Sequence, residues 1–501
     1  TVVRICEPAL LEHNAQSLAV DTTSITPYAS FESLDPRFQT LQSEALRVEM
    51  GRDPFTLRIL DVAGNLLLEA DGPEGLSVYD GNHANLKARY DQAGAPRGFG
   101  LNPRAPQATL DLAQAAPPDT AQGLYLSPSP FGRLNERCAI ALRPEGQSTL
   151  SFAEPGTLDF SSGGRLDAFV CLATTDQHYW TTMQFLFGRS MFVPRFLLGT
   201  GYTLSEFKAL AEVRGIGAKL SNEGFDVDWL MFPSTRPGLS GWNQPYRSLN
   251  PNPTLWGNSA ANFEALEQDD IKTVFEVPSG FSAEAKNVSM TEFLKDDQDN
   301  EGAASAPVIA NLVASPFEYG EEKDAIGAAI SALAGQRFVR WMMAEDERPS
   351  GAVEQAMRPV MRADVWHSAL VDEQNLGNER RFVLDREMRA DLNRRNHLLA
   401  PWRIDPMSAK PSDAFALAGS AAHSGLPTWG LDLPITLESY PSRFAMQRWF
   451  QTALIAPYVL LRAPDWDKAS PPVQTADLNN EFRRLFAVRE RLRPWMYSLA
   501  R

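Results

Sequence analysis

The sequence predicts an α/β chain with a β-rich front: an N-terminal β-sandwich over residues 1–175, then a (β/α)8 TIM barrel over 176–501. Three observations predict it. The 501 residues exceed the roughly 250–300 at which one core stops growing, so two or more domains are expected. The first third carries short apolar runs between turn residues, the mark of a sandwich. The remainder alternates apolar strand segments with helical ones over a length that suits a barrel with insertions.

The front part reads strand by strand. FTLRILDVAGNLLLEA (55–70) places two apolar runs on either side of an Ala-Gly-Asn turn, which predicts a hairpin. GLSVYDG, GLYLSPS, CAIALRPEG, STLSFAEPG and LDAFVCLA supply further short runs with Gly, Pro and Asn punctuation. The Ala- and Pro-rich piece at 94–119 reads as a long surface loop. In the second part, FDVDWLMF, KTVFEVPS, RFVRWMM and RRFVLDRE read as strands. SEFKALAEVRGIGAKL, ANFEALEQDD, EEKDAIGAAISALAGQ and DLNNEFRRLFAVRERLRPWMYSLA read as helices, and the polar stretch 287–307 as an irregular excursion.

Composition narrows the function classes. An apolar fraction of 44% with 10% aromatics suits a folded protein. A net charge of −15 argues against a nucleic-acid partner, which calls for a basic face. No window has the 18 or so apolar residues of a membrane span. TVVRICEPALLEH lacks the charged and apolar regions of a signal peptide, so the expected setting is a soluble one, either cytoplasmic or periplasmic or secreted after processing. Cys6, Cys138 and Cys171 are too few and too scattered for a disulfide framework or a zinc site, and read as buried thiols. The six histidines form no HExxH or HxH pattern, so no metal and no cofactor is expected. Oligomeric state is not legible.

In a barrel of this class, functional groups project from the C-terminal ends of the strands. Acids and aromatics gather at several expected strand ends: Asp226, Asp228 and Trp229 in FDVDW; Glu345, Asp346 and Glu347 in WMMAEDERP; Asp385, Arg386 and Glu387 in FVLDRE; Trp402, Arg403 and Asp405 in PWRIDP; Trp429 and Asp432 in WGLD. Glycoside cleavage needs two carboxyls flanking the bond, one to protonate the leaving oxygen and one to attack or stabilise the sugar cation. Further carboxylates and arginines hold hydroxyls, and tryptophan packs on the sugar face. For any single acid the plainer reading, a helix cap or a solvated loop charge, has about even odds.

The order of these motifs resembles glycoside hydrolase family 31, the retaining α-glucosidase and α-xylosidase group. FGRSMFVPRFLLGTGYT (187–203) resembles the approach to the family's first barrel strand, and FDVDW its second-strand D-x-D-W segment. RRFVLDRE with PWRIDP resembles F-x-x-x-R-S followed by W-S-G-D-N. LPTWGLDLP, RFAMQRWFQTALIAPYVLLRAPDW and RERLRPWMYSLA match later segments in the same order. The resemblance implies Asp405 as general acid/base, Asp226 as a sugar-hydroxyl ligand, Arg386 and Trp402 lining the cleavage subsite, Asp432 beneath it, and Trp229 walling the pocket. It implies a carbohydrate as substrate or ligand.

Departures accompany the likeness. Where the family's fourth strand ends W-x-D-x-x-E, anchoring on Glu347 places Ala344 in the nucleophile slot, with Asp346 and Glu345 as the nearest replacements. The family's His in R-x-H aligns with Arg462, and W-S-G-D-N has become W-R-I-D-P. The family's C-terminal β domains are not expected in this chain, which ends at the last barrel helix. Four readings follow: an active retaining α-glycosidase, a carbohydrate binder without hydrolysis, a site whose nucleophile was replaced by Ala344, and an assembly protein on the same scaffold. The first is favoured narrowly.

Overall fold

The computed structural model describes residues 2–5, 30–32, 38–43, 45–52, 54–79, 83–91, 97–98, 110–111, 131–144, 148–151, 156–163, 166–190, 192–204, 227–234, 239–242, 252–256, 271–277, 341–344, 382–385, 397–399, 401–423, 425–426, 428–463 and 476–499, and residues 215, 220, 222 and 268 singly. Among these, the front of the chain is sheet-rich and the rest is organised around one parallel sheet.

Fifteen strands fill the front: β1 (Val2–Ile5), β2 (Ser30–Glu32), β3 (Phe38–Gln42), β4 (Leu46–Arg52), β5 (Phe55–Asp61), β6 (Leu66–Asp71), β7 (Leu76–Tyr79), β8 (His83–Arg89), β9 (Arg97–Gly98), β10 (Leu110–Asp111), β11 (Phe131–Arg133), β12 (Cys138–Pro144), β13 (Ser148–Ser151), β14 (Thr157–Gly163) and β15 (Leu166–Leu172). One sheet runs β13-β14-β8-β6-β5-β4-β3-β2 with β7 beside β8; a second runs β1-β15-β12-β11. The hairpin expected at 55–70 forms as β5–β6. Gly64 turns the chain at φ 85, and the Asp61 carboxylate accepts from the Asn65 backbone N–H at 2.8 Å and from its side-chain amide at 2.7 Å. These bonds satisfy the turn where the ladder stops. The stretch 94–119, expected as a loop, contains the antiparallel pair β9–β10.

Strand alternation decides what each face touches. Cys138, Ile140 and Leu142 of β12 and Ala168 and Val170 of β15 join one apolar cluster with Ile59, Leu68, Leu86 and Phe160 of the larger sheet. The intervening Ala139, Ala141 and Phe169 face helix α1 (Asp176–Phe187), meeting Tyr179, Met183, Leu186 and Phe187. The smaller sheet is thus covered on both sides. Thr175 starts α1 as an N-cap, its hydroxyl accepting from the His178 N–H at 3.2 Å. Cys138 is buried and Cys171 half-buried, both free thiols; burial pushes Cys171 up to about 11, so it stays protonated at neutral pH.

The second sheet system holds β16 (Thr200–Leu204), β17 (Trp229–Phe232), β18 (Lys272–Val277), β19 (Trp341–Ala344), β20 (Phe382–Asp385), β21 (His397–Leu399), β22 (Trp402–Arg403), β23 (Gly430–Pro434) and β24 (Tyr458–Ala463). Their order is β21-β20-β19-β18-β17-β16-β24-β23-β22, and each pairing is parallel. The two outermost strands are successive in the chain. β21 ends at Leu399 and β22 begins at Trp402, three Cα steps that span at most about 11 Å. The sheet's two edges are therefore held close to each other.

One face of this sheet shares a single apolar cluster: Trp229, Met231, Val274, Leu384, Leu398, Tyr458 and Leu460, sealed by Leu197, Leu198 and Met496. Two glycines make room for its rings. A Cβ at Gly201 would collide with the indole of Trp229, and one at Gly430 with the ring of Tyr458. Helices α2 (Pro411–His423), α3 (Arg443–Ala453) and α4 (Ala476–Leu499) complete the described part. The long final helix expected from DLNNEFRRLFAVRERLRPWMYSLA is α4. It is locked by Arg489, whose buried guanidinium donates to the carbonyls of Ala453 (2.7 Å), Ala456 (2.6 Å), Leu198 (3.0 Å) and Pro457 (3.0 Å). One side chain thereby satisfies carbonyls at the end of α3, just before β24, and just before β16.

GLYLSPS, EEKDAIGAAISALAGQ, the 287–307 excursion and Cys6 lie outside the described residues, as do SEFKALAEVRGIGAKL and ANFEALEQDD apart from single helical positions. No described helix is long and apolar enough to cross a membrane.

Candidate functional site

The parallel strands all end on one side of the sheet, and a cavity of about 470 Å³ opens at the ends of β22, β23 and β24. It is lined by Arg403, Asp405, Met407, Pro434, Ser439 and Arg462, among others. Residues up to 60 positions apart in the chain meet here because parallel neighbours present the same ends.

Below the cavity lies a charge pair. Arg462 on β24 donates from Nε to Oδ1 of Asp432 on β23 at 2.9 Å. Asp432 is 2% exposed, so its charge is held by this contact rather than by bulk water. The Nη2 of Arg462 is buried with no hydrogen-bond partner among the described residues. Tyr440 closes the side, its hydroxyl donating to the Pro434 carbonyl at 2.7 Å. Burial pushes the Tyr440 phenol far up, and Asp432 adds to this against the opposing pull of Arg462. Tyr440 is therefore a fixed donor at every physiological pH.

Asp405 follows β22 directly and reaches the cavity, but its carboxylate also serves the local turn. Oδ1 accepts from the Met407 N–H at 3.1 Å and Oδ2 from the Ser408 hydroxyl at 2.9 Å. The side chain is exposed.

The aromatic residues are placed differently from expectation. Trp402 stacks on Trp429, ring centroids 5.7 Å apart at 22°, and is not among the residues lining the cavity. Asp228 does not stand at a C-terminal strand end: it precedes β17, which begins at Trp229. Trp229 is fully buried in the apolar cluster with Leu197 and Leu198 and walls no part of the cavity. Asp228 ties the opposite end of the sheet, accepting from the Thr200 N–H at 2.9 Å and from Arg493 Nη2 at 2.6 Å. The sequence pattern of acids beside an apolar run is the same at either end of a strand, and tertiary register alone separates them.

On β19, Met343 and Ala344 face opposite sides of the sheet. Met343 pairs with Glu276 of β18 and Leu384 of β20. Leu384 belongs to the apolar cluster, and Glu276 stands two residues beyond its member Val274. Ala344 pairs instead with Val277 and Asp385, the opposite parity. Counting W-x-D from Trp341 lands on Met343. Neither position carries a carboxylate. Asp226, Glu345, Asp346 and Arg386 lie outside the described residues.

Glu276 is an acid the sequence reading did not single out. It sits near the C-terminal end of β18, 1% exposed, and accepts from the Ser234 N–H at 3.2 Å. Its own carbonyl accepts from Trp242 Nε1 at 2.7 Å. An acid inside an otherwise apolar strand, KTVFEV, was the available signal. Among the described residues no group of three His, Cys, Asp or Glu is arranged to hold a metal ion.

No protein-family model matches the chain, and no curated protein matches it in sequence. Solved structures do match. A dextranase of glycoside hydrolase family 31 from Flavobacterium johnsoniae, complexed with isomaltotriose, superposes with a TM-score of 0.71 at 15% identity over 94% of this chain. An α-xylosidase of the same family from a soil metagenome, complexed with xylose, gives 0.70 at 13% over 95%. The glucosidase II α subunit gives 0.69 at 13% over 94%. The fold is that of these enzymes. The chain spans 62%, 78% and 60% of their respective lengths.

Proposed function

We propose that this chain is a glycoside hydrolase-like protein of the family 31 type, with an α-linked sugar seated in the cavity at the ends of β22–β24. On this reading residues 1–175 form a sandwich and 176–501 a closed (β/α)8 barrel. The nearness of β21 and β22 and the shared apolar cluster support closure. The observation that carries the functional reading is the convergence of Arg403, Asp405 and Arg462 on one cavity at the C-terminal edge of a parallel sheet, where such folds place their ligands, with Asp432 paired to Arg462.

In the hydrolytic form, Asp405 protonates the leaving oxygen and a carboxylate following β19, Glu345 or Asp346, attacks the anomeric carbon. The resulting glycosyl ester is then opened by water, with Asp405 taking the water's proton. Asp432 orients Arg462 beneath the sugar. Asp226 and Arg386 contribute hydroxyl contacts as the family likeness implies.

A second reading has its own support. Met343, which pairs with Glu276 and Leu384, carries no carboxylate, and both Asp405 oxygens already accept local donors. Together these favour sugar binding without turnover. Hydrolysis of a panel of aryl α-glycosides by the parent and by Asp405→Ala separates the two. Turnover lost with Asp405 supports the enzyme. Binding without turnover in either protein supports the non-hydrolytic form. Neither binding nor turnover removes the sugar site altogether.

A further inference from the structure

The geometry points to an acidic sugar, one carrying a carboxylate, as the ligand of this cavity. The inference rests on the sugar-site reading above and deepens it.

Arg462 supplies the first argument. Its Nε is engaged by Asp432, while Nη2 is buried with no partner among the described residues. The residue also lines the cavity, where its contact with Asp432 holds the guanidinium in place.

The second argument is the company it keeps. Arg403 lines the same cavity from the end of β22 and is exposed. Two guanidinium groups around one cavity suit a planar oxyanion better than a lone hydroxyl, because a carboxylate accepts from both at charge-assisted strength. Ser439 adds a hydroxyl at the rim, oriented by Thr436 at 2.8 Å.

The acids present do not cancel this preference. Asp432 lies beneath Arg462 and fixes its orientation; it is not a cavity-lining residue. Asp405 does line the cavity, but its oxygens accept from Met407 and Ser408, which disperses the charge an anionic ligand would meet.

The test is calorimetric titration of the full chain with methyl α-glucuronide, methyl α-glucoside and a 6-sulfonated glucoside. The expected result is binding of the uronide at least about tenfold tighter than the glucoside. That margin should shrink as salt rises from 0.05 to 0.5 M. Arg403→Ala and Arg462→Lys should each lower uronide affinity several-fold more than glucoside affinity, narrowing the margin between the two. Lysine keeps a cation beside Asp432, so the fold is retained while the planar fork is lost. If Arg462→Lys does not fold, the exposed Arg403→Ala decides. Equal binding of uronide and glucoside overturns the acidic-sugar inference and keeps the sugar site. Preference for the sulfonate over the uronide also overturns it. No binding of any of the three overturns both readings.

Discussion

Arg462 and Asp432 face each other across adjacent parallel strands, Nε to Oδ1 at 2.9 Å, with the Asp432 side chain 3% exposed. Arg462 lines the cavity and Asp432 holds it from behind, which makes the pair a point of vulnerability. Truncating one partner leaves the other charge buried and uncompensated. Asp432→Ala is expected to destabilise the chain by about 3–5 kcal/mol. Asp432→Leu combined with Arg462→Leu should recover much of that loss. Urea unfolding of the single and double variants measures both; equal stability of Asp432→Ala and the parent would contradict the pairing.

The register of β19 makes a prediction about activity. Met343, not Ala344, pairs with Glu276 and Leu384. A carboxylate introduced at Met343→Asp is therefore expected to change turnover of aryl α-glycosides, and Ala344→Asp to leave it at the parent level. The reverse pattern would restore the alignment anchored on Glu347.

Gly201 and Gly430 are predicted to resist substitution for steric reasons. An alanine methyl at either would occupy the ring of Trp229 or Tyr458. Gly201→Ala and Gly430→Ala should each cost about 1–3 kcal/mol through overpacking. By contrast, nothing lies within 4 Å of a Cβ at Gly215, so Gly215→Ala serves as the control in thermal unfolding.

Asp61 gives the front sheets an acid-sensitive turn. Burial raises its carboxyl, but hydrogen bonds from Asn65 and Ala63 and the nearby Arg137 outweigh that and hold it below the usual carboxylate value. A lowered carboxyl contributes stability that is present above its unfolded value and lost as pH falls through the folded one. Asp61→Asn should therefore lose stability at pH 7, by about 1 kcal/mol for its hydrogen bonds, and should differ less from the parent below pH 3. A variant that is equally destabilised at both pH values would rule out the charge as the cause.

Arg489 is expected to be the least replaceable residue of the final helix. Arg489→Met removes the donors for four carbonyls in three separate segments. A loss of at least about 4 kcal/mol is expected from several buried acceptors left unpaired. Hydrogen exchange should show the segment joining α3 to β24 opening first.

Local chemistry made much of this protein legible from its residues. Turn residues and short apolar runs marked the hairpin at 55–70 and the strands β12 and β15. The helical pattern near the C-terminus marked α4. The acids Asp405 and Asp432 could be named because each follows or lies in an apolar run, and Arg462 because the family resemblance aligns it with R-x-H. Those signals are local: a short apolar run, a turn glycine and a charged strand end are written in neighbouring residues.

The tertiary structure decided the rest. Whether FDVDW lies at the open or the closed end of a strand depends on where pairing begins, and the chain places that point at Trp229. Whether position 343 or 344 shares the face of Glu276 depends on register with strands about 40–70 residues away, and a one-residue shift exchanges the two faces. Glu276 became notable only once its burial was known, and the two turn donors on Asp405 only once the fold was seen. Sequence fixes which groups are available; packing across distant strands fixes which of them meet, because contact in space is a property of the folded layers and not of spacing along the chain.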